Sequence, residues 1–204
     1  MSLIKRCRAA LLGCLLTASP VLAEPDQMGI DLDAAYSATR IIESADGHLE
    51  IQEYRAPGRY RMEFQVEDET MVYLVREEEG EAYMLLTSLQ LAVAVPALKV
   101  RELTRQVEVL EREAAGREQV DGHDADRYRA RFRDPRGGVA EGYYWLTDEG
   151  IPVRIDMTYQ DPEAGSVDVL MQLEDLEVGD PDPALFVVPE GYETVSGLDG
   201  LLGR

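Results

Sequence analysis

The sequence predicts a mainly β protein with one main helix: a strongly curved antiparallel sheet, an unclosed half-barrel, with the helix packed in or over its concave face. Apolar and polar residues alternate along most of the chain after Tyr36, and Gly, Asp and Pro interrupt the alternation at short intervals. This pattern is typical of antiparallel strands joined by turns. One stretch after Pro96 has helical spacing instead. A sheet that wraps its apolar face around that helix satisfies both patterns.

The first half of the chain predicts a succession of strands. Ala45-Asp46-Gly47 predicts a hairpin turn, because Asp-Gly readily takes the positive φ that such turns need. The cleanest alternation follows Gly58, where Tyr60, Met62 and Phe64 are separated by charged residues. The predicted strands are Tyr36–Ser44, His48–Tyr54, Tyr60–Val66, Met71–Arg76 and Ala82–Leu86.

The main helix is predicted to begin at Pro96, a position where proline is tolerated, and to end near Gly116. Its apolar residues, Leu98, Leu103, Val107 and Leu110, approximate a single face. The sequence also predicts a short amphipathic helix over Glu24–Ala35.

The second half returns to strand patterns, which brings the expected total to about eight to eleven strands. The predicted strands are Arg117–Val120, Asp126–Arg133, Val139–Thr147, Ile151–Gln160 and Ser166–Glu177.

Residues 1–23 are predicted to form a cleavable signal peptide. Residues 24–204 are predicted to form a single domain with an ordered core over about 30–195. Basic residues precede an apolar run at Ala9–Leu16, and Val21-Leu22-Ala23 offers small residues where a signal peptidase cuts. We therefore expect a periplasmic protein. The alternative is a lipoprotein anchored through Cys14, because Leu11 to Cys14 loosely matches a lipobox.

Charge and composition exclude several classes of protein. The chain has 40 acidic residues against 20 Lys and Arg, for a formal net charge of −20, which disfavours nucleic-acid binding through a basic face. The apolar run in the signal peptide is shorter than the about 20 residues that a transmembrane helix needs, and there is no other such run. Both cysteines lie in the signal peptide, so thiol chemistry is not expected after cleavage.

No catalytic or metal-binding pattern stands out. There is no Gly-x-Ser-x-Gly nucleophile elbow, and the carboxylates around His123 depart from the spacing of a calcium loop. We therefore expect a protein that is not an enzyme, with no metal and no cofactor.

The sequence is notable instead for apolar side chains on the predicted strand faces. Several of them are methionines, whose flexible side chains adapt to irregular contents. The same residues are equally compatible with a filled core. The candidates for lining a cavity on the concave face are Met62, Phe64, Leu74, Leu85, Trp145, Met157, Tyr159 and Met171.

Short motifs add a family resemblance over most of residues 30–195. They are Gly47-x-Leu49-x-Ile51 followed by Arg55-x-Pro57-x-x-Tyr60-Arg61, the hairpin from Trp145 to Arg154, and the tail from Leu185 to Tyr192. Together they resemble the LolA/LolB-like superfamily of periplasmic outer-membrane lipoprotein-sorting carriers, and the hairpin and tail look closer to its uncharacterised branch.

The resemblance implies an unclosed barrel lidded by helices, whose apolar cavity holds acyl chains. It also implies a lid-related role for Arg55, the nearest match to an arginine that helps hold the carrier's lid closed, although Ala56 separates it from the proline. The other interpretation of Arg55 is a surface arginine paired with nearby acids.

The expected function is therefore that of a non-catalytic periplasmic carrier, whose partner is an apolar ligand such as a lipid or a lipoprotein acyl chain. Movement of the helix and of Leu89–Val95 would admit the ligand. The alternative is a structural or interaction module of the cell envelope, with the same scaffold, a filled interior and an envelope protein as its partner.

Overall fold

The computed structural model describes residues 27–45, 47–97, 106–163 and 165–196, and their strands form a single twelve-stranded sheet. Two short 3-10 helices, Thr87–Leu89 and Pro183–Phe186, complete the described elements. The strands are β1 Tyr36–Ser44, β2 Gly47–Ala56, β3 Arg59–Val66, β4 Glu69–Arg76, β5 Glu81–Leu86, β6 Leu91–Ala94, β7 Glu108–Val120, β8 His123–Arg133, β9 Val139–Leu146, β10 Pro152–Asp161, β11 Gly165–Val178 and β12 Glu193–Ser196.

The sheet consists of two antiparallel meanders joined side by side. The strands from β1 to β6 form one meander and those from β7 to β11 form the other, and β1 pairs with β11 at the junction. β12 adds to β6 as the one parallel neighbour among the described strands. β7 and β12 are the two edges and do not pair with each other, so the sheet is unclosed.

The predicted antiparallel architecture is confirmed. β1 has the predicted bounds, and the predicted strands from His48 to Glu177 match β2–β5 and β8–β11 to within a few residues. The structure adds β12, and it shows that the unpunctuated apolar stretch at Leu89–Val95 contains β6, which is paired on both sides. A strand held between two neighbours is a poor candidate for a moving gate, so that part of the expected mechanism is corrected.

The predicted helix from Pro96 to Gly116 is wrong over its second half. Residues 108–116 belong to β7, which pairs along most of its length with β8. The two strands carry complementary charges: Arg133 donates to Glu108 at 2.8 Å, and Arg117 pairs with Asp126 at 3.3 Å. Cross-strand pairing therefore overrides the helical preference of a Glu-, Ala- and Arg-rich segment. Residues 98–105 lie outside the described residues, as does the predicted signal peptide.

The predicted helix over Glu24–Ala35 is also wrong where the structure describes it. Residues 27–35 form turns rather than a helix. Gly29 takes a φ of 80°, and the Asp31 amide donates to the Gly150 carbonyl at 3.0 Å. These contacts hold the N-terminal segment 27–35 against the β9–β10 hairpin.

The sheet has two buried faces. The face that carries Tyr144, Met157 and Met171, here called the cavity face, is partly covered by the N-terminal segment. On the opposite face, residues 182–192, the C-terminal segment, pack over β4 and β5 through Phe186. The N-terminal segment packs on β8, β9 and β10, whereas the C-terminal segment packs on β4 and β5, so the two segments cover different meanders.

Candidate functional site

An apolar cavity of about 290 Å³ lies on the cavity face of the second meander. It opens to solvent on one side, and almost all the atoms that line it are carbon or sulfur. The lining residues are Met28, Ile30, Val107, Phe132, Asp134, Gly138, Ala140, Tyr144, Ile155, Met157, Tyr159 and Met171.

The register of β9, β10 and β11 brings together the residues that form the floor of the cavity. Tyr144 of β9 lies opposite Ile155 of β10, which in turn lies opposite Met171 of β11. Because successive residues of a strand point to opposite faces, every second residue along these strands reaches the same side. Ala140 and Phe132 extend the row onto β8.

The N-terminal segment forms another wall, and a hydrogen bond fastens it. The Tyr144 hydroxyl donates to the backbone carbonyl of Met28 at 2.8 Å and accepts from the Nε of Arg112 at 2.5 Å. The Arg112 guanidinium lies 3.9 Å from the ring centroid of Tyr128, which stacks on Tyr144 at 5.3 Å. Arg112 is thus fixed by a cation–π contact and a hydrogen bond.

A polar group closes the other end of the floor. The Tyr159 hydroxyl donates to Asp134 at 2.6 Å, and this bond raises the pKa of Tyr159 and lowers that of Asp134. Asp134 also accepts from the amides of Arg136 and Gly138, at 2.8 and 2.9 Å. A side chain at Gly138 would place its Cβ 2.2 Å from the Tyr159 hydroxyl, so the rim needs glycine there.

Five of the predicted site residues lie on the cavity face, and three of them line the cavity. Met157, Tyr159 and Met171 do so directly. Met62 and Phe64 share that face by register, since Met62 lies opposite Glu53 and Tyr73, but they belong to the first meander. Phe64 adjoins a separate, more polar depression of about 410 Å³ with Leu49.

The other three, Leu74, Leu85 and Trp145, point to the opposite face, which corrects their assignment. Leu74 and Leu85 have no exposed surface and pack below the C-terminal segment. Trp145 follows Tyr144 and therefore faces away from the cavity. Its ring lies 5.1 Å from the Arg154 guanidinium, and its Nε1 donates to Glu118. These residues lie in continuous apolar runs, such as 71–75 and 143–146, where alternation does not indicate which face of the sheet each side chain occupies.

Several lining residues were missed by the sequence interpretation. Phe132 ends a clear alternation, Tyr128, Ala130 and Phe132 between arginines, which was a usable signal. Tyr144 and Ile155 follow from the same rule once the register is known. Val107 falls on the apolar face of the predicted helix, whereas Met28 had no such signal, because tertiary structure alone brings it to the cavity.

Arg55 lies in a buried polar group on the cavity face of the first meander, which we call the arginine cluster: Tyr36, Arg40, Glu53 and Arg55. Glu53 accepts from the Nε of Arg40 and from the Nε of Arg55, both at 2.6 Å. The Tyr36 hydroxyl donates to Glu53 at 3.0 Å, and the Arg55 guanidinium lies 4.9 Å from the Tyr60 ring centroid. Arg55 does pair with an acid, as one interpretation held, but its side chain is only 18% exposed.

The cluster has shifted pKa values. Burial alone would raise the pKa of Glu53, but the charges of Arg40 and Arg55 outweigh it and lower that pKa to about 2. Burial, followed by the charge of Glu53, raises the pKa of Tyr36 to about 12. Glu53 is therefore ionised and Tyr36 neutral at pH 7.

The chemistry of the cavity is that of binding. Its lining offers apolar contact, with polar groups confined to the two ends of the floor. Within the described ranges, no three acidic, histidine or cysteine side chains come together in a way that would hold a metal ion. The described part of the chain also contains no helix with the length and apolar character to cross a membrane.

Comparison with known proteins gives structural likenesses only. No family model matches the chain, and no curated protein does. An uncharacterised conserved protein from Thermus thermophilus shares 17% identity over 81% of this chain and 91% of its own, with a TM-score of 0.49. The MucA/MucB complex of Pseudomonas aeruginosa shares 17% identity over 76% of this chain, which spans only 56% of that chain, with a TM-score of 0.48.

A further likeness bears the name of the family that the sequence resembles. A LolA superfamily protein from Nitrosomonas europaea shares 11% identity over 78% of this chain and 92% of its own, with a TM-score of 0.41. At these identities a likeness concerns the fold alone.

Proposed function

We propose that this protein binds a lipid or a lipoprotein acyl chain in the apolar cavity and carries it in the periplasm without catalysing a reaction. The supporting observation is the cavity itself: about 290 Å³ of space whose walls are almost wholly apolar. That volume is close to the lower end of the about 300–1,000 Å³ usual for small-molecule sites.

The expected binding energy comes from burial of the chain. Each methylene removed from water contributes about 0.8 kcal/mol, so ten methylenes would supply about 8 kcal/mol before the cost of association. Met28, Met157 and Met171 can adjust to chains of different shape, because unbranched thioether side chains fill irregular space. We expect tight binding with modest selectivity for the alkyl chain.

Native mass spectrometry of residues 24–204, purified from periplasm without detergent, tests the proposal. We expect a stoichiometric lipid mass that organic extraction recovers. A clean apo mass that stays unshifted after incubation with phospholipids and acylated peptides would contradict it. That result would favour the envelope interaction module instead.

A cavity-filling variant localises the site. Ala140 lines the cavity opposite Phe132 and Tyr159, so Ala140→Phe places a ring where the ligand would lie. Ala114→Phe, the same substitution at an exposed position of β7, is the matched control. We expect the lipid mass to be lost from A140F and kept by A114F, with both proteins folded by circular dichroism.

A further inference from the structure

We propose that the ligand is an amphiphile with an anionic head group, a carboxylate or a phosphate, and that this head group binds Arg40 and Arg55. The inference rests on the proposed function and specifies its ligand class. It concerns the arginine cluster, which the apolar cavity by itself does not explain.

The cluster carries an unbalanced positive charge. Two guanidinium groups share the single carboxylate of Glu53, and the side chains of Arg40 and Arg55 are only 14% and 18% exposed. Partial removal of a charge from water is unfavourable unless a counter-charge is near. A singly charged anion bound there would bring the net charge of the group to zero.

The arginines also retain free donors beside the carboxylate that they share. Each uses its Nε on Glu53, Arg55 on one carboxylate oxygen and Arg40 on the other. Within residues 27–45, 47–97, 106–163 and 165–196, no acceptor bonds the terminal nitrogens of either side chain. Planar guanidinium groups flanking one point suit carboxylate and phosphate oxygens.

No second acid is paired in register with the cluster on the described strands β2, β3 or β11; outside those strands, Glu77 accepts from the hydroxyl of Tyr60, whose ring faces Arg55. The residues facing the cluster across β2, β3 and β11 are neutral. They are Ile51, Tyr60, Met62, Leu173 and Val178.

The cluster adjoins the cavity on the same face. Arg40 lies opposite Leu173, and the next residue of that face, Ile42, lies opposite Met171, which lines the cavity. Arg40 is therefore a diagonal neighbour of Met171, within reach of a long side chain. From β10, whose Ile155 and Met157 form the floor, β1 is two strand spacings away, about 10 Å. An alkyl chain in the cavity can thus direct its head group to the arginines.

A series of ligands with one sixteen-carbon chain tests the inference on the wild-type protein. The probes are palmitate, hexadecyl phosphate, hexadecanol and hexadecylamine, each measured by displacement of a neutral fluorescent probe at low salt. We expect either anion to bind at least tenfold more tightly than hexadecanol, and the amine to bind most weakly. The ratio of the two anions distinguishes a carboxylate from a phosphate ligand.

The outcomes separate the two proposals. If no probe binds, the proposed function fails and this inference fails with it. If all four bind with similar affinity, the cavity binds lipid but the head-group assignment is overturned. Both results come from the wild type and need no variant.

Variants then assign the effect to the cluster. Arg40→Gln and, separately, Arg55→Gln should reduce the preference for palmitate over hexadecanol to less than threefold while leaving hexadecanol affinity unchanged. Arg129→Gln, which removes an exposed arginine paired with Glu141, is the control and should keep the preference. A preference that survives in folded R40Q and R55Q would place the head group elsewhere and overturn the inference.

Discussion

The hydroxyl of Tyr144 donates a hydrogen bond to the backbone carbonyl of Met28, 2.8 Å away, and so joins the floor of the cavity to the N-terminal segment. The same hydroxyl accepts from Arg112. One side chain of β9 therefore bonds both Arg112 of β7 and the N-terminal segment, which forms a wall of the proposed binding site.

Tyr144→Phe should loosen the N-terminal segment while keeping the ring in place. Loss of a part-buried hydroxyl with two partners is expected to lower the free energy of unfolding by about 1–2 kcal/mol. Hydrogen exchange should speed up at the Asp31 amide, which bonds Gly150. Unchanged exchange there would show that the Tyr144 hydroxyl does not hold the segment.

Gly138→Ala should distort the rim of the cavity. The added Cβ would meet the Tyr159 hydroxyl at 2.2 Å and the ring carbon Cζ at 2.6 Å, so Tyr159 must leave Asp134. We expect a loss of about 1–3 kcal/mol in chemical denaturation. In the background of Tyr159→Ala, the same change should cost much less, and equal costs in both backgrounds would contradict the steric explanation.

Acid should destabilise the protein partly through Glu53. Its pKa in the folded protein, about 2, is below the ordinary 4.5, so its contribution is present above about pH 4.5 and is lost as the pH falls toward 2. The shift corresponds to on the order of 3 kcal/mol. Denaturation of wild type and Glu53→Gln between pH 7 and pH 3 measures it, and the gap between them should narrow with acid.

Alkali should destabilise the protein partly through Tyr36, whose pKa is raised by folding whereas that of Glu53 is lowered. The folded-state pKa of Tyr36, about 12, is above the ordinary 10, so its contribution is complete below about pH 10 and is lost as the pH rises toward 12. Tyr36→Phe, which cannot ionise, should lose less stability over that range. Spectrophotometric titration of the tyrosines should show one late-titrating group fewer in Y36F than in the wild type.

Leu74→Ala tests whether ligand binding depends on one face of the sheet only. Leu74 has no exposed surface and packs with Phe186, so its truncation should cost about 2–5 kcal/mol. Ligand affinity should not change, because the cavity is on the other face. Ile155→Ala, at the cavity floor, should weaken ligand binding, and equal binding effects from both variants would contradict the face assignment.

The strands of this protein were predictable because local rules decide them. Alternation over Tyr60–Val66 and turn residues such as Gly47 define strand and turn without reference to the rest of the chain. Met157, Tyr159 and Met171 were placed on one face for the same reason, since each lies in a strand with clear alternation.

Sequence patterns gave wrong predictions where both faces of a strand are apolar, and where a segment has both helical and strand tendencies. Both Leu74 and Tyr73 are largely apolar, so alternation could not tell which of them faces the cavity. The segment Glu108–Gly116 has residues that favour a helix, and its strand conformation comes from pairing with β8, whose charges complement it.

Composition and period-two alternation are properties of the chain alone, so they were enough to specify an acidic, antiparallel β protein with an apolar face rich in methionine. The position of the cavity, and of the arginine cluster on the same face, depends instead on contacts between distant parts of the chain. Strand register and the path of the N-terminal segment bring Met28 to Tyr144 across 116 residues of sequence, and no local pattern specifies contacts of that range.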